Sequence, residues 1–218
     1  MNSIKNLRGI IMKAFFLATI LTVASVAIAG AQTTTWKADK THSNVNFTVT
    51  HLMVSEVTGS FKDYDVTVTS NGDDFLSATV EAVIKTASVN TDNENRDKHL
   101  RSDDFFNSDS FPNMTFKSTK IEKAGENAYK IYGDLTIRGV AKPVILDATY
   151  KGKIDAWGTT KEGFKATTTV NRFDYGVKWD KKMDAGGFIV ANKVDVTLQM
   201  ELTKQAKPEE AKKNEGKK

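Results

Sequence analysis

Residues 129–150 read YKIYGDLTIRGVAKPVILDATY, which is two alternating apolar runs joined by a turn. In the first run, 129–137, every second residue is apolar or glycine, and polar side chains occupy most positions between them. The second run, 144–150, repeats this pattern. A period of two predicts strands with one buried face and one solvent-exposed face. Because Arg138-Gly139 has the chemistry of a tight turn, the two strands are predicted to form an antiparallel hairpin.

The same alternation covers most of the chain. Further runs of this kind occupy residues 45–50, 76–85, 164–170 and 194–202. Several of them exceed the usual strand length of about five or six residues, and most connections are short. Long antiparallel strands with one apolar side suit a closed or nearly closed barrel better than a small sandwich. The sequence therefore predicts an all-β fold.

One short helix is predicted to interrupt the strands. Thr91 and Glu94 have the spacing of a capping box, in which each side chain bonds the backbone N–H of the other end. The helix should run two or three turns, to about Leu100. The apolar side chains of Leu100, Phe105 and Phe106 are expected to seat it against the barrel, over an opening.

Residues 1–31 have the three-part pattern of a cleavable export signal. Three basic residues and no acidic residue precede an apolar run over 14–29, which closes on an A-x-A site. A membrane anchor is the rival interpretation, but the run is shorter than the ~20 residues of a spanning helix. We expect cleavage after Ala31 and a periplasmic location, with the extracellular space as the alternative. Translation from Met12 instead of Met1 stays open.

The basic net charge of +4 is concentrated at the two ends of the chain. The signal contributes three positive charges and residues 204–218 three more in excess of their acids, so the body 32–203 carries −2. A near-neutral body gives no support for nucleic-acid binding, which needs a clustered basic face. The segment 204–218 lacks apolar periodicity and is predicted to be a disordered charged tail.

Motifs typical of catalytic or metal sites are not found in the sequence. The chain has no cysteine, and its three histidines, His42, His51 and His99, form no paired metal-ligand motif. No nucleophile elbow or phosphate-binding glycine loop is present in the sequence. We therefore expect a protein that is not an enzyme and that has no metal site.

The inside of the barrel is then the candidate site. A barrel of about eight strands either fills its interior with side chains or holds one small ligand. The inward positions mix bulky residues such as Phe47 with small ones such as Ala82 and Gly133. This mixture is compatible with an apolar ligand channel, and a solid interior filled by the bulky residues is the alternative.

Several segments resemble the YceI-like family in order and spacing. The resemblance covers about Trp36 to Leu202. It is carried by Asp39–Ser43 with Phe47 and His51, Gly59–Phe61, Ser88–Thr91, Arg96–Phe106, Phe111–Ser118, Gly133–Pro143 and Asn171–Gly176.

The resemblance implies an eight-stranded, lipocalin-like antiparallel barrel over residues 32–203, exported to the periplasm. It also implies a ligand, a long amphiphilic isoprenoid such as a polyprenyl phosphate or an isoprenoid quinone, and no other cofactor. Apolar surface removed from water contributes ~25 cal/mol per Å², so an isoprenoid chain needs no hydrogen bonds to bind. Expected partners are this lipid and, transiently, a membrane or membrane protein, with a homodimer left open.

Candidate site residues follow from the strand alternation and this resemblance. Those expected to line the lipid channel are Phe47, Val49, Phe61, Leu76, Val80, Ile84, Phe116, Leu135, Ile137, Leu146, Phe164, Val170 and Leu198. Candidates for the polar head group are His51, Arg96, Arg138 and Arg172, because arginine binds phosphate with two parallel hydrogen bonds. Each has a structural alternative: a strand cap, a helix contact, a solvated turn residue, and an ion pair with Asp174, respectively.

The connection 176–188 is expected to cross one mouth of the barrel, with Trp179 or Phe188 touching an exposed lipid tail. Two other functions remain open. One is a barrel enzyme for a lipophilic substrate that uses His51 and Arg172. The other is a stress-response protein whose barrel is solid.

Overall fold

The structure is a computed structural model that describes residues 32–182 and 189–206. The predicted export signal, Phe188 and most of the predicted tail lie outside the described residues. The strands in this part of the chain are β1 (Thr33–Ala38), β2 (Asn44–His51), β3 (Ser55–Phe61), β4 (Tyr64–Asn71), β5 (Asp74–Lys85), β6 (Val89–Asn90), β7 (Asn113–Lys123), β8 (Ala128–Ile137), β9 (Val140–Ala156), β10 (Thr159–Asn171) and β11 (Val190–Lys204), and the helix is α1 (Glu94–Arg101).

Eight of these strands form a closed antiparallel barrel in the order β1-β4-β5-β7-β8-β9-β10-β11. The barrel closes where β1 pairs with the end of β11, from Trp36 opposite Lys204 to Ala38 opposite Leu202. The predicted all-β, eight-stranded barrel is confirmed. No helix of the described residues is long and apolar enough to cross a membrane.

The β8–β9 hairpin has the geometry that residues 129–150 predict. Ile137 pairs with Val140, and Ile131 with Leu146. The two turn residues between these strands, Arg138 and Gly139, have φ values of 50° and 74°. Positive φ at both central residues is the requirement of a two-residue turn that matches the strand twist.

The hairpin of β2 and β3 extends the sheet beside the closed barrel. β2 pairs with the first two thirds of β11, from His51 opposite Val190 to Asn44 opposite Gln199. β3 pairs along β2 on one side, but on the other side meets only the short β6, next to α1. Within the described chain, residues 55–59 therefore have one sheet edge without a strand partner.

The capping of α1 differs from the predicted capping box. The N-cap is Asn93, whose side chain accepts a hydrogen bond from the N–H of Arg96 at 3.0 Å. Thr91 is buried and donates its N–H and hydroxyl to the carboxylate of Asp97, at 2.9 and 2.5 Å. The Thr91 hydroxyl is therefore committed to a buried carboxylate, and the first asparagine after it caps the helix. The helix length of eight residues agrees with the prediction.

The alternation predicted for β5 fails at its first residues. Leu76, expected to face inward, is 48% exposed, whereas Phe75 faces the barrel interior. The cause is local hydrogen bonding in the turn from β4. Asp74 accepts from the N–H of Leu76 and the hydroxyl of Ser77, and that hydroxyl also accepts from the N–H of Asn71. These bonds shift the register before regular pairing begins at Thr79.

Candidate functional site

The barrel encloses a cavity of about 610 Å³. Native protein cores leave few voids larger than a water molecule, so this barrel is not packed solid. The volume lies within the ~300–1,000 Å³ range of typical ligand sites. Of the thirteen predicted channel residues, all but Leu76 line the cavity: Phe47, Val49, Phe61, Val80, Ile84, Phe116, Leu135, Ile137, Leu146, Phe164, Val170 and Leu198.

Two inward glycines do not contribute empty space, contrary to the expectation for Gly133. A Cβ atom at Gly133 would overlap the ring of Phe116, and one at Gly59 would overlap the ring of Phe47. These glycines let the two aromatic rings lie against the backbone of the neighbouring strand. The cavity instead lies next to small side chains such as Ala82 and Ala166.

One end of the barrel is closed by aromatic side chains of the strands themselves, which we call the aromatic plug: Phe75, Tyr129, Tyr150 and Phe164. Phe75 packs on Tyr129 and Phe164, with ring centroids 5.1 and 4.8 Å apart. Phe164 also packs on Tyr150 at 5.2 Å. Because all four residues belong to β5, β8, β9 and β10, the sheet ladder itself fixes the plug in place.

The opposite end, which we call the helix end, is covered by α1, the following loop 102–106 and the strap, defined as residues 176–182. Phe106 of the loop packs on Phe61 of β3 with ring centroids 5.5 Å apart. Trp179 of the strap packs on Phe105 and His99, at 5.6 and 5.7 Å, and lines the cavity. The strap thus crosses this end as predicted, while contact between Trp179 and a lipid tail stays a prediction.

The mouth of the cavity lies along α1. Asn95, Arg96 and His99 line the cavity and are also exposed to solvent. Among the described residues, every charged or histidine side chain that lines the cavity is at this end; they are His51, Arg96, His99 and Arg172. The site therefore has an apolar body and polar groups at one end.

Arg172 reaches the cavity, but its guanidinium is committed to the backbone. It donates to the carbonyl oxygens of Ala191, Val177 and Val190 at 2.9, 2.9 and 3.1 Å, and only 6% of the residue is exposed. Burial lowers the pKa of the Arg172 guanidinium from its usual value. The expected alternative, an ion pair with Asp174, does not form. Arg172 instead fastens the strap to the start of β11.

Arg138 lies outside the cavity, which contradicts its prediction as a head-group residue. Its guanidinium donates to the carbonyl oxygens of Asp103 and Phe105 at 2.7 and 2.5 Å, and to the carboxylate of Asp103 at 3.0 Å. The alternative of a solvated turn residue is also wrong. The side chain leaves the β8–β9 turn and holds the loop after α1, a long-range contact that local sequence does not reveal.

Arg96 and His51 are the head-group candidates that remain at the mouth. Arg96 donates through Nε to the Thr91 hydroxyl at 2.7 Å and through Nη2 to the Thr91 carbonyl at 2.8 Å, which leaves its Nη1 outside these bonds. The His51 side chain lines the cavity between the ends of β2 and β11. Sequence reasoning missed His99, whose Nε2 lies 2.7 Å from an Asp104 carboxylate oxygen.

A separate polar cluster joins the β1–β2 turn to the barrel. Asp39, His42 and Glu201 have ligand-type atoms within 4.8 Å of one another, a spacing that could hold a metal ion. The Lys161 ammonium lies between the two carboxylates, 3.1 Å from Asp39 and 2.5 Å from Glu201. Hydrogen bonds from His42, the Thr41 N–H and Lys161 hold the pKa of the Asp39 carboxyl well below its usual range. The Lys161 cation thus offsets one of the two carboxylate charges of this cluster.

Comparison with known proteins places the whole barrel in one group. The YceI-like domain model matches residues 36–202. A UPF0312 protein of Pseudomonas fluorescens is 38% identical over 169 residues, covering 75% of this chain and 82% of that protein. The crystal structure of the Campylobacter jejuni YCEI protein has a TM-score of 0.63 at 32% identity, covering 72% of this chain and 90% of that one.

A more distant structure shares the fold alone. The polyisoprenoid binding domain from Saccharophagus degradans, implicated in plant cell wall breakdown, has a TM-score of 0.60 at 15% identity and covers 79% of this chain and 98% of that one. The family match spans the barrel from β1 to β11, as the resemblance of the ordered sequence segments predicts. This chain belongs to the YceI-like family.

Proposed function

We propose that this protein binds one long isoprenoid lipid, with the chain inside the barrel and the head group at the helix end. The observation that carries the proposal is the apolar cavity of about 610 Å³ whose ionisable lining groups are confined to one end. A long amphiphile is divided in the same way, into an apolar chain and a polar head group at one end. Burial of its chain contributes ~25 cal/mol per Å², and the polar mouth accommodates the head. The polyisoprenoid binding domain of the same fold supports this choice of ligand class.

Binding rather than catalysis agrees with the bonding of the polar lining groups. Arg172 is engaged with three backbone carbonyls and Arg96 with Thr91. Each is thus held by a structural partner. A barrel enzyme that uses Arg172, the earlier alternative, would have to break bonds that fasten the strap.

The head group is proposed to be a phosphate or a quinone ring, as in a polyprenyl phosphate or an isoprenoid quinone. Both offer oxygen acceptors that Arg96 Nη1 and His51 can bind at the mouth. The arginine favours the phosphate through charge, while a quinone oxygen needs only one hydrogen bond. A lipid analysis that identifies the head group distinguishes the two.

Export to the periplasm is part of the same proposal. It is supported by the basic start, apolar run and A-x-A site of residues 1–31. N-terminal sequencing of the protein purified from its host is expected to give a chain that begins at Gln32, in the periplasmic fraction. A chain that retains residues 14–29 and sediments with membranes would contradict this.

The central experiment is organic extraction of protein purified from its own host, followed by mass spectrometry. An isoprenoid lipid is expected at up to one molecule per chain. Ala166→Phe, which fills the cavity, should reduce the bound lipid. Leu76→Phe adds a ring on the outer surface of the barrel and serves as the matched control. Absence of isoprenoid from repeated wild-type preparations would reject the proposal.

A further inference from the structure

The turn between β2 and β3 has a conformation that its residues disfavour. The N–H of Val54 bonds the carbonyl of His51 at 3.2 Å, with Leu52 and Met53 between them. Their φ values are 50° and 64°. Such a turn normally contains Asn-Gly, because side chains larger than those of glycine and asparagine are strained at positive φ. This chain has a leucine and a methionine there instead.

The same residues display their apolar side chains to solvent. Leu52, Met53 and Val54, which we call the apolar tip, are 39%, 71% and 85% exposed. Both the backbone and the hydrophobic surface are thus unfavourable in water. A segment that is costly in two ways indicates contact with an apolar environment.

The apolar tip is continuous with the lining of the cavity. His51 and Val57, on either side of the tip, line the cavity. The N–H of Leu52 donates to the carbonyl of Ile189 at 2.8 Å, and Ile189 is itself a lining residue. Any partner surface that contacts the apolar tip therefore also lies next to the helix end of the barrel.

Basic side chains flank the tip on the strap. The N–H of Ile189 donates to the carbonyl of Lys181 at 3.1 Å, which brings the strap next to the tip. Lys178, Lys181 and Lys182 are all exposed, and Asp180 between them is the one acid of these five residues. The flank thus has a net charge of +2 over residues 178–182, which is complementary to anionic lipid head groups.

We propose that the apolar tip inserts into an anionic membrane surface, with Lys178, Lys181 and Lys182 against the head groups, so that the cavity mouth faces the bilayer. This rests on the proposed function, because an isoprenoid cargo enters and leaves through a membrane. Three side chains expose far less than the ~800 Å² that each partner of a standard protein interface buries. A bilayer accepts an insertion of this small size.

The test is co-sedimentation of the mature protein with phosphatidylcholine vesicles that contain or lack phosphatidylglycerol. Wild type should bind the anionic vesicles, and more weakly at high salt. Leu52→Asn combined with Met53→Gly should weaken binding roughly tenfold, since the apolar groups that enter the bilayer are lost. Because Asn-Gly suits the turn, the variant should fold at least as stably as wild type.

Two controls assign the effect. Trp157→Ser removes a side chain that is 92% exposed in the β9–β10 turn, at the plugged end of the barrel, and should leave vesicle binding unchanged. Lys181→Gln with Lys182→Gln should reduce binding to anionic vesicles only. Lipid extraction from the tip variant tests the proposed function separately from vesicle binding. A tip variant that still contains isoprenoid lipid but no longer binds vesicles would support both proposals.

Several outcomes would overturn the proposal. These are equal vesicle binding by wild type and the tip variant, loss of binding only in Trp157→Ser, or no wild-type binding to anionic vesicles. Concentration-dependent self-association that the tip variant abolishes, without vesicle binding by wild type, would assign the tip to a second copy of this chain instead.

Discussion

The two ends of the barrel are closed by different kinds of structure. At the plugged end, Phe75 and Phe164 are strand residues whose rings meet inside the barrel. At the helix end, α1 and the loop and strap beside it lie over the opening. Arg138 attaches the loop and Arg172 attaches the strap, each by hydrogen bonds to backbone carbonyls.

This difference indicates which end opens. Displacing the aromatic plug would disturb side chains held by neighbouring strands of a continuous ladder. The cover at the helix end is fastened at a few points and contains the exposed lining residues. Local opening is cheapest where fewest buried contacts must break. We therefore expect ligand exchange at the helix end.

The largest expected effect is at the strap. Arg172→Leu should lower the free energy of unfolding by about 3 kcal/mol, because one buried and two part-buried carbonyls lose their donor. Urea unfolding followed by circular dichroism measures this. Lys178→Leu, which removes an exposed cation of the same strap, should change stability little. If Arg172→Leu were as stable as wild type but lost its lipid, the guanidinium would be a head-group ligand and not a fastener.

The plugged end provides the converse test. Phe164→Ala should cost about 2 kcal/mol, below the ~3–5 kcal/mol of a fully buried phenylalanine truncation, because the ring is only half-buried. It should also speed the entry of a fluorescent fatty probe, since a second opening is created. Leu76→Ala, on the outer surface near the plug, should leave both quantities unchanged. An unaltered entry rate in Phe164→Ala would show that the plug does not limit access.

The smallest effect concerns the cluster of Asp39, His42 and Lys161 that holds the β1–β2 turn. Because the Asp39 pKa is depressed in the folded state from its ordinary 3.8, the unfolded chain takes up this proton first as the pH falls. The contribution of the Asp39 carboxylate to folding stability is complete above its unfolded-state pKa of 3.8 and is lost as the pH falls towards its folded-state pKa. Asp39→Asn should therefore flatten the acid dependence of unfolding below about pH 5.

At neutral pH the same substitution should cost less than about 1 kcal/mol, because the cluster is partly exposed and screened by solvent. Unfolding by urea at a series of pH values checks both parts. An unchanged slope in Asp39→Asn would mean that the cluster does not couple to folding.

The sequence was informative wherever one residue's environment follows from its strand position. Period-two alternation predicts that Val80, Ile84 and Leu146 face inward, and the pleat of a strand makes this nearly automatic. It failed at Leu76, because the side-chain hydrogen bonds of the preceding turn shift the register before the ladder begins.

The polar residues of the site were harder to predict, since their roles depend on partners distant in sequence. The Arg138 guanidinium donates hydrogen bonds to backbone carbonyls 35 and 33 residues away in the sequence. Two of the carbonyls that Arg172 binds are 19 and 18 residues away, on the other side of the strap. An arginine in the sequence indicates a group able to bind phosphate. It does not indicate whether the N–H donors of that arginine are already hydrogen-bonded to other parts of the protein. Only three-dimensional packing decides that.

The closing strand has a consequence for how the chain is made. β11, the last strand of the described residues, pairs with β10, β1 and β2 and so joins both sides of the barrel seam. Trp36 and Lys204 are 168 residues apart in the chain and opposite each other in the barrel. Contacts of such long sequence separation slow folding. The barrel therefore cannot close before β11 has been synthesised, a delay that suits the export proposed for this chain.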